Sequence, residues 1–400
     1  MSNPQNTLSF DVERARSETR VCEDLVHFNN AGASLMPIPV SDALHRFLSL
    51  EETIGGYEAQ AQETQALESV YSSTAKLINC KSTELAFTES ATRAWQIAFY
   101  SFPLQRGDKI ITTLAEYGSN MIAYLQQAER LGVEIVVTPN DESGKVDVAA
   151  LQNLIDDRVK LISMTHIPTG GGLVNPAKAI GAVAKAANIP FMLDACQSVG
   201  QLHVDVEEYN CDMLCITGRK YLRGPRGTGL LYVRESLIDT LSPATLDQYG
   251  AELQSSSSYT MRPDARRFEN WEYNCAAKVA LGAAVDYCLS WGTEAIEQRV
   301  YFLAHKLRQK LSGIDGIKIT DLGTEQCGIV TFTAEQASPQ DIKEHLSANQ
   351  INVSTSKGSG SLISFQDRGL TEVVRASVHY YNTESEIEYM AQCLKKLLQS

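Results

Sequence analysis

The chain has 400 residues, 44% of them hydrophobic and 21% charged, which is the balance of a soluble globular protein of about two domains. Its net charge of −13 argues against a nucleic-acid partner, whose binding rests on Lys and Arg neutralising phosphates, while leaving room for a locally positive pocket. No apolar run is long enough to span a bilayer and no charged-then-apolar leader opens the sequence, so no membrane partner is expected. The nine cysteines are scattered, with no CxxC pair and no Cys/His cluster of zinc-like spacing, and read as reduced thiols of a cytoplasmic protein without a metal site.

Residues 1–20 are polar and read as an arm or short helix. Leu25-Val26-His27-Phe28 is a short strand running into Asn29-Asn30-Ala31-Gly32-Ala33, where small residues would let backbone approach a ligand and an ordinary turn serves as well. Apolar residues at helical spacing cover 39–53 and 58–78, followed by the strand Leu85-Ala86-Phe87. Thr88-Glu89-Ser90-Ala91-Thr92 then stands directly before a helical run at 94–99. Hydroxyls and free N–H groups at a helix start make an anion site, and simple N-capping also accounts for them.

From 108 to 216 strands alternate with helices. The strands fall at 109–112, 133–137, 160–164, 190–193 and 213–216; the helices fall at 120–131 and from Asn175, as cap, with Pro176 in the first turn, to about 187. This alternation implies a parallel sheet with right-handed crossovers. A further strand follows at 227–233, then a loop-rich stretch at 241–270 with a serine run at 255–258. Helices at 275–291 and 294–312, a strand at 328–332, and a last helix opened by the capping box Thr383-Glu384-Ser385-Glu386 complete the chain. The division expected is an arm at 1–20 joining a small domain at 270–400, with a large domain at 21–269. There are no internal repeats, and beyond the serine run only 357–361 is of low complexity.

One stretch organises the rest. Asp194 ends an apolar strand, and one strand later Lys220 follows another. The carboxyl ends of parallel strands are where α/β proteins build ligand sites, and an acid plus a lysine there suit a carbonyl cofactor that needs a Schiff base and a protonated ring nitrogen. An edge-of-sheet acid and a solvated lysine are the plainer reading of two residues alone. Around them stand the helix start at Ser90, Ala91 and Thr92, Tyr117 in a loop, the turn Thr169-Gly170-Gly171-Gly172, and the amide of Gln197.

Asp194-Ala195-Cys196-Gln197, Thr217-Gly218-Arg219-Lys220 and Gly224-Pro225-Arg226-Gly227-Thr228-Gly229, with Phe87-Thr88-Glu89-Ser90-Ala91-Thr92 ahead and Arg375-Ala376-Ser377 and Tyr381-Asn382-Thr383 behind, resemble the class V, cysteine-desulfurase-like branch of the fold-type I pyridoxal-phosphate enzymes. The resemblance spans nearly the whole chain. It implies an α/β fold with a large domain built on a mainly parallel seven-stranded sheet between helices, a smaller C-terminal α/β domain, the cofactor pyridoxal 5'-phosphate, an amino-acid substrate and a homodimer. It implies that Lys220 forms the Schiff base and later acts as base at Cα, while Asp194 pairs with the pyridine nitrogen. Gln197 and Thr169 would contact the phenolic oxygen, Thr169 standing where the family has Asn. Tyr117 would stack on the ring in place of a family His. Ser90, Ala91, Thr92, Thr217 and Arg219 would hold the phosphate, Arg219 again replacing a His. Arg375 would grip the substrate carboxylate, a surface salt bridge being the plainer role for a lone Arg, and Asn30 and Ala31 would line the substrate side.

The chain departs from that family at two places. The loop that carries the desulfurase cysteine reads Asn352-Val353-Ser354-Thr355-Ser356-Lys357-Gly358-Ser359-Gly360-Ser361, and no cysteine occurs between Cys327 and Cys393. Persulfide transfer by the family route is therefore not expected; Cys196 and Cys327 remain as thiols near the site or as plain core residues. The family's Gly-Thr phosphate contact from a partner subunit is replaced by Asn270-Trp271-Glu272. The expected reaction is β-elimination by a C–S lyase on a cysteine-type substrate, with class V transamination second and epimerisation or racemisation third. Retention of Lys220, Asp194 and Arg375 together speaks against a non-catalytic cofactor-binding scaffold.

Overall fold

The computed structural model describes residues 10–399. Seven strands form one sheet: β1 Leu85–Thr88, β2 Lys109–Thr113, β3 Glu134–Thr138, β4 Val159–Thr165, β5 Phe191–Asp194, β6 Met213–Thr217 and β7 Gly229–Val233, ordered β1-β7-β6-β5-β4-β2-β3. Strands β2 to β6 are parallel, while β7 runs antiparallel to both β6 and β1. The link from β6 to β7, residues 218–228, carries no crossover helix, so the chain returns in the opposite direction. Both faces are covered. Phe191, Leu193, Leu214 and Ile216 feed one core, and the alternate residues Met192, Met213 and Cys215 feed the other. That is why these strands read as continuous apolar runs rather than as alternating ones.

A second sheet holds β8 Ile317–Ile319, β9 Ile329–Ala334, β10 Ser354–Lys357 and β11 Glu372–Ser377, all antiparallel, in the order β8-β9-β11-β10. The N-terminal segment is fastened to this part of the chain: Val26–His27 pairs with Ile351–Asn352, and Arg16 meets Glu386 of the last helix at 2.6 Å. Helix Cys275–Trp291 packs its Ala276 and Val279 with Phe47 and Leu67 of the helices Ile38–Ile54 and Thr64–Ile78. Although it follows the boundary expected at 270, it shares a core with the N-terminal half.

Several expectations need correction. The helix expected at 58–78 is two, Gly56–Gln62 and Thr64–Ile78, divided at Glu63. Asn175 does not cap the next helix: its amide donates to the Thr165 carbonyl at 2.9 Å, and Ala177–Ala186 starts after Pro176 without a side-chain cap. A short helix, Val148–Asn153, capped by Asp147, was not expected. The serine run is the turn of an exposed hairpin, Ala251–Ser255 with Ser258–Met261, inside a stretch read as loop. Of the arm, Val12–Ser17 is a helix and residues 1–9 lie outside the described residues. The capping box at Thr383 and Glu386 forms as expected.

Asp321 ties the small sheet to the glycine-rich turn of the large one. One carboxylate oxygen accepts from Gly172 N at 3.0 Å and from Thr331 N and Oγ1 at 3.0 and 2.6 Å; the other accepts from Arg308 Nε at 2.8 Å. The Asp321 side chain is fully buried. Removing it strands a buried guanidinium and two backbone N–H groups, so Asp321→Ala is expected to cost roughly 3–5 kcal/mol, read as a lowered urea midpoint with unchanged slope.

Candidate active site

The parallel register brings the functional side chains to one edge. Asp194 ends β5 beside Cys215 of β6, so β6 runs on to Thr217 before the turn that carries Arg219 and Lys220. Thr217 pairs with Gly229, and Gly229 with Thr88, which places the start of helix Ala91–Ser101 at the same edge. Ser90, Ala91, Thr92, Tyr117, Thr169, Asp194, Gln197, Thr217, Arg219 and Lys220 all line one cleft there. Each of the residues expected to hold a cofactor is therefore found in a single place.

Asp194 is 6% exposed and held by two N–H donors, Cys196 N on Oδ1 at 3.0 Å and Asn120 Nδ2 on Oδ2 at 3.2 Å. The Lys220 side chain has no hydrogen-bond or ion-pair partner among the described residues. Burial lowers its pKa from the ordinary lysine value, and the Arg219 and Arg375 cations act in the same direction against Asp194 and Cys196. A lysine so placed gives up its proton more readily than a solvated one. The turn after it is pinned by Arg223, a residue with left-handed backbone (φ 61). Its buried guanidinium donates to Leu35 O at 2.8 Å, Tyr380 OH at 2.8 Å and Thr19 Oγ1 at 2.6 Å.

The anion cup is made by backbone. Ser90 caps helix Ala91–Ser101 by accepting from Arg93 N, which leaves the first-turn N–H groups of Ala91 and Thr92 without intrahelical acceptors. Gly229 makes room for this start, since a Cβ there would sit 2.7 Å from Ala91 N. Arg219 adds positive charge at the cleft and donates to the Gly32 carbonyl.

Arg375 is 8% exposed and has no carboxylate partner among the described residues. Its Nε donates to Ser354 Oγ at 3.1 Å and its Nη1 to Thr169 Oγ1 at 2.6 Å; burial lowers its pKa to about 10. The plain role of a surface salt bridge is thus excluded. The Arg375 guanidinium is satisfied only by neutral groups, and the planar fork of an arginine matches a carboxylate. Thr169 lies between the two tasks expected of the site, lining the cleft while its hydroxyl accepts from Arg375.

Asn30 and Ala31 differ from the expectation. Asn30 is fully buried in a knot, donating to His27 O and Ser377 O at 3.1 and 2.7 Å and accepting from Tyr381 OH at 2.5 Å. Its amide has nothing left for a substrate. Ala31 reaches the site only through its carbonyl, which accepts from Gln197 Nε2 at 3.2 Å. Of the two thiols, Cys196 lines the cleft and Cys327 is a buried core residue outside its lining; burial pushes Cys327 up to about 12 and Cys196 well above the ordinary range. Neither is poised as a thiolate. Sequence reasoning overlooked Glu116, Asn120, Thr165 and Arg223, each of which has a partner distant in the chain; only the polar cluster at 116–120 was visible as a signal.

These residues fit pyridoxal 5'-phosphate. The helix start offers free N–H groups to a phosphate, Lys220 offers an unpaired amine, Asp194 an anchored carboxylate, and the buried Gln197 Oε1 has no hydrogen-bond partner within the protein. Gly229→Ala would press a methyl group on the Ser90–Ala91 backbone, an overpacking worth about 1–3 kcal/mol. The cofactor dissociation constant should rise about tenfold or more in equilibrium dialysis, with the circular dichroism of the fold unchanged.

The comparisons with known proteins agree with this geometry. The family model Aminotransferase class-V matches residues 26–390. A probable cysteine desulfurase of Methanothermobacter thermautotrophicus is 28% identical over 392 residues, covering 96% of this chain and 98% of that protein. A cysteine desulfurase of Serratia proteamaculans is 30% identical over 411 residues, covering 98% and 99%. The apo structure of the cysteine desulfurase from Thermococcus onnurineus NA1 superposes with a TM-score of 0.91 at 25% identity, covering 97% and 98% of the two chains. With the family model matched over most of its length and a site that fits the cofactor, this chain belongs to the class V aminotransferase family of pyridoxal-phosphate-dependent enzymes, on the cysteine-desulfurase-like side of it.

Proposed function

We propose that this protein binds pyridoxal 5'-phosphate in the cleft and acts as a β-eliminating C–S lyase on a cysteine-type amino acid, such as cysteine, a cysteine S-conjugate or a cysteine sulfoxide. One observation carries the reading. Arg375, a buried cation without an anion, stands close enough to Lys220 to lower its pKa, while the loop beside it presents Ser354 and not a thiol. That loop is also fastened: Ser361 Oγ donates to Glu116 O at 3.1 Å, and the bare Cα of Gly118 lets it lie close, since a Cβ there would sit 2.6 Å from Ser359 O. Exposed Leu253, Tyr259 and Trp271 supply apolar surface for the homodimer that belongs to this reading. Sedimentation at the 44.0 kDa of one chain would remove the dimer from it.

When bound, the cofactor supplies a ring that accepts electrons from Cα. Lys220 would hold the cofactor through its Nζ, and the same amine, once released, would remove the Cα proton of the substrate. Asp194, fixed by Cys196 N and Asn120 Nδ2, would hold a proton at the ring nitrogen. Arg375 grips the substrate carboxylate and so decides which bond at Cα faces Lys220. No cysteine of the loop is available to attack the substrate sulfur. The Cβ–S bond breaks instead with its electron pair going to sulfur, which leaves as the thiol after taking a proton. Water converts the remaining fragment to the 2-keto acid and ammonium, and no oxidant or reductant is consumed.

A product assay over cysteine, cysteine S-conjugates, cysteine sulfoxides and ordinary amino acids tests this. The expected outcome is equimolar 2-keto acid and ammonium, with released thiol, or sulfenate from a sulfoxide, from one of the sulfur substrates. Lys220→Ala should lose both turnover and the yellow colour. Arg375→Lys, which replaces a fork by a point charge, should raise KM about 100-fold, since hydrogen bonds to charged groups are worth about 1.5–3 kcal/mol each. Accumulation of pyridoxamine phosphate without released thiol would select transamination and overturn the lyase. Absence of bound pyridoxal phosphate would overturn the whole reading.

A further inference from the structure

Behind Asp194 lies a second buried carboxylate that the reaction above does not use. Glu116 follows β2 and is 2% exposed. Its Oε1 accepts from Asn120 Nδ2 at 2.9 Å, from Tyr117 N at 2.8 Å and, at close range, from Thr165 Oγ1; its Oε2 accepts from Thr112 Oγ1 at 2.9 Å and Tyr124 OH at 3.4 Å. Neither lysine nor arginine pairs with it among the described residues. An ionised carboxylate buried without a cation costs several kcal/mol unless donors surround it. Here backbone, amide and hydroxyl donors do so, from β2, its following loop, helix Gly118–Leu131 and β4.

Asn120 joins this carboxylate to the site. Its Nδ2 carries two hydrogens, and the structure gives it two acceptors, Glu116 Oε1 at 2.9 Å and Asp194 Oδ2 at 3.2 Å. We propose that Glu116 and Asn120 form with Asp194 a positioning unit for the ring nitrogen of the cofactor. Asn120 fixes the Asp194 rotamer, and the Glu116 charge behind it strengthens the hold on the ring-nitrogen proton. The inference rests on the cofactor reading above and deepens it. The geometry supplies the direction of the effect. Two negative charges on one side of a single amide repel each other, and a proton or cation on the cleft side of Asp194 relieves that repulsion. An amide spacer transmits this without itself titrating. Through Tyr117 N the same Glu116 oxygen also holds the backbone of the residue whose side chain lines the cleft, so a single carboxylate sets two walls of the site. Core packing alone would be served better by an apolar side chain of the same size, with no charge to bury.

Glu116 and Asn120 are positioning residues, so the test reads the ring nitrogen and not only turnover. The holoenzyme is reconstituted with pyridoxal 5'-phosphate carrying 15N in the ring, and the 15N resonance is recorded for the unaltered protein, Glu116→Gln, Asn120→Ala and the conservative Asn120→Ser. The expected result is a protonated ring nitrogen in the unaltered protein, displaced toward the unprotonated position in Glu116→Gln and Asn120→Ala. Cofactor dissociation constants should rise about ten- to a hundredfold, the loss of one hydrogen bond to a charged group. Should Glu116→Gln fail to fold, as urea unfolding would reveal, Asn120→Ala and Asn120→Ser read the same connection from the other side of the amide. Ring-nitrogen resonances unchanged in folded variants would overturn the proposal and leave the cofactor reading intact. Failure of the unaltered protein to bind the labelled cofactor would overturn both.

Discussion

Asp194 and Cys215 stand side by side in neighbouring parallel strands, and the rest of the site depends on that register. A shift of one residue would turn Asp194 into the core and Met192 and Leu193 to opposite faces, at the cost of burying a charge without its two N–H donors. Because β5 and β6 are packed on both sides, such a slip has no stable alternative. The acid and the lysine are therefore placed by apolar packing several residues away from either. Their chemistry is a consequence of where the strands stop.

The balance of charge in the cleft runs against that of the protein. A chain with net charge −13 sets Arg219 and Lys220 in the cleft lining beside Asp194, with Arg375 near enough to act on Lys220. None of the three cations has a carboxylate partner among the described residues. Burying cations without anions is unfavourable, and proteins that do so recover the cost when an anion binds. In the function proposed above, a phosphate at the helix start and a substrate carboxylate at Arg375 would be two such anions. Burial lowers the pKa of Lys220, and Arg219 and Arg375 push the same way while Cys196 and Asp194 oppose them.

Much of this was legible because the informative residues lie close together in the chain. Asp194 and Gln197, or Thr217, Arg219 and Lys220, occupy single turns, and the apolar runs before them mark buried strands whose ends line one edge. What was misread was decided by partners outside the local turn. Asn175 has every local mark of a helix cap, yet the open carbonyl of Thr165 on a neighbouring strand takes its amide. Asn30 was expected on the substrate side by the family resemblance, yet Ser377 and Tyr381, more than three hundred residues on, use it up. Glu116 passed unremarked because its tie to the site runs through Thr165 and, by way of Asn120, to Asp194, both on other strands.

The sequence by itself determined the α/β architecture, the lysine and acid at the strand ends, the phosphate-type helix start and the absence of a loop cysteine. These are written in local patterns: apolar runs, capping residues and spacing within one turn. Only the tertiary structure decided that Arg375 is a buried cation with no anion, that Thr169 holds it, and that Asn120 couples Asp194 to a second carboxylate. The physical reason is that a charge is defined by what surrounds it. Those surroundings are assembled from strands and loops that meet only when the chain has folded.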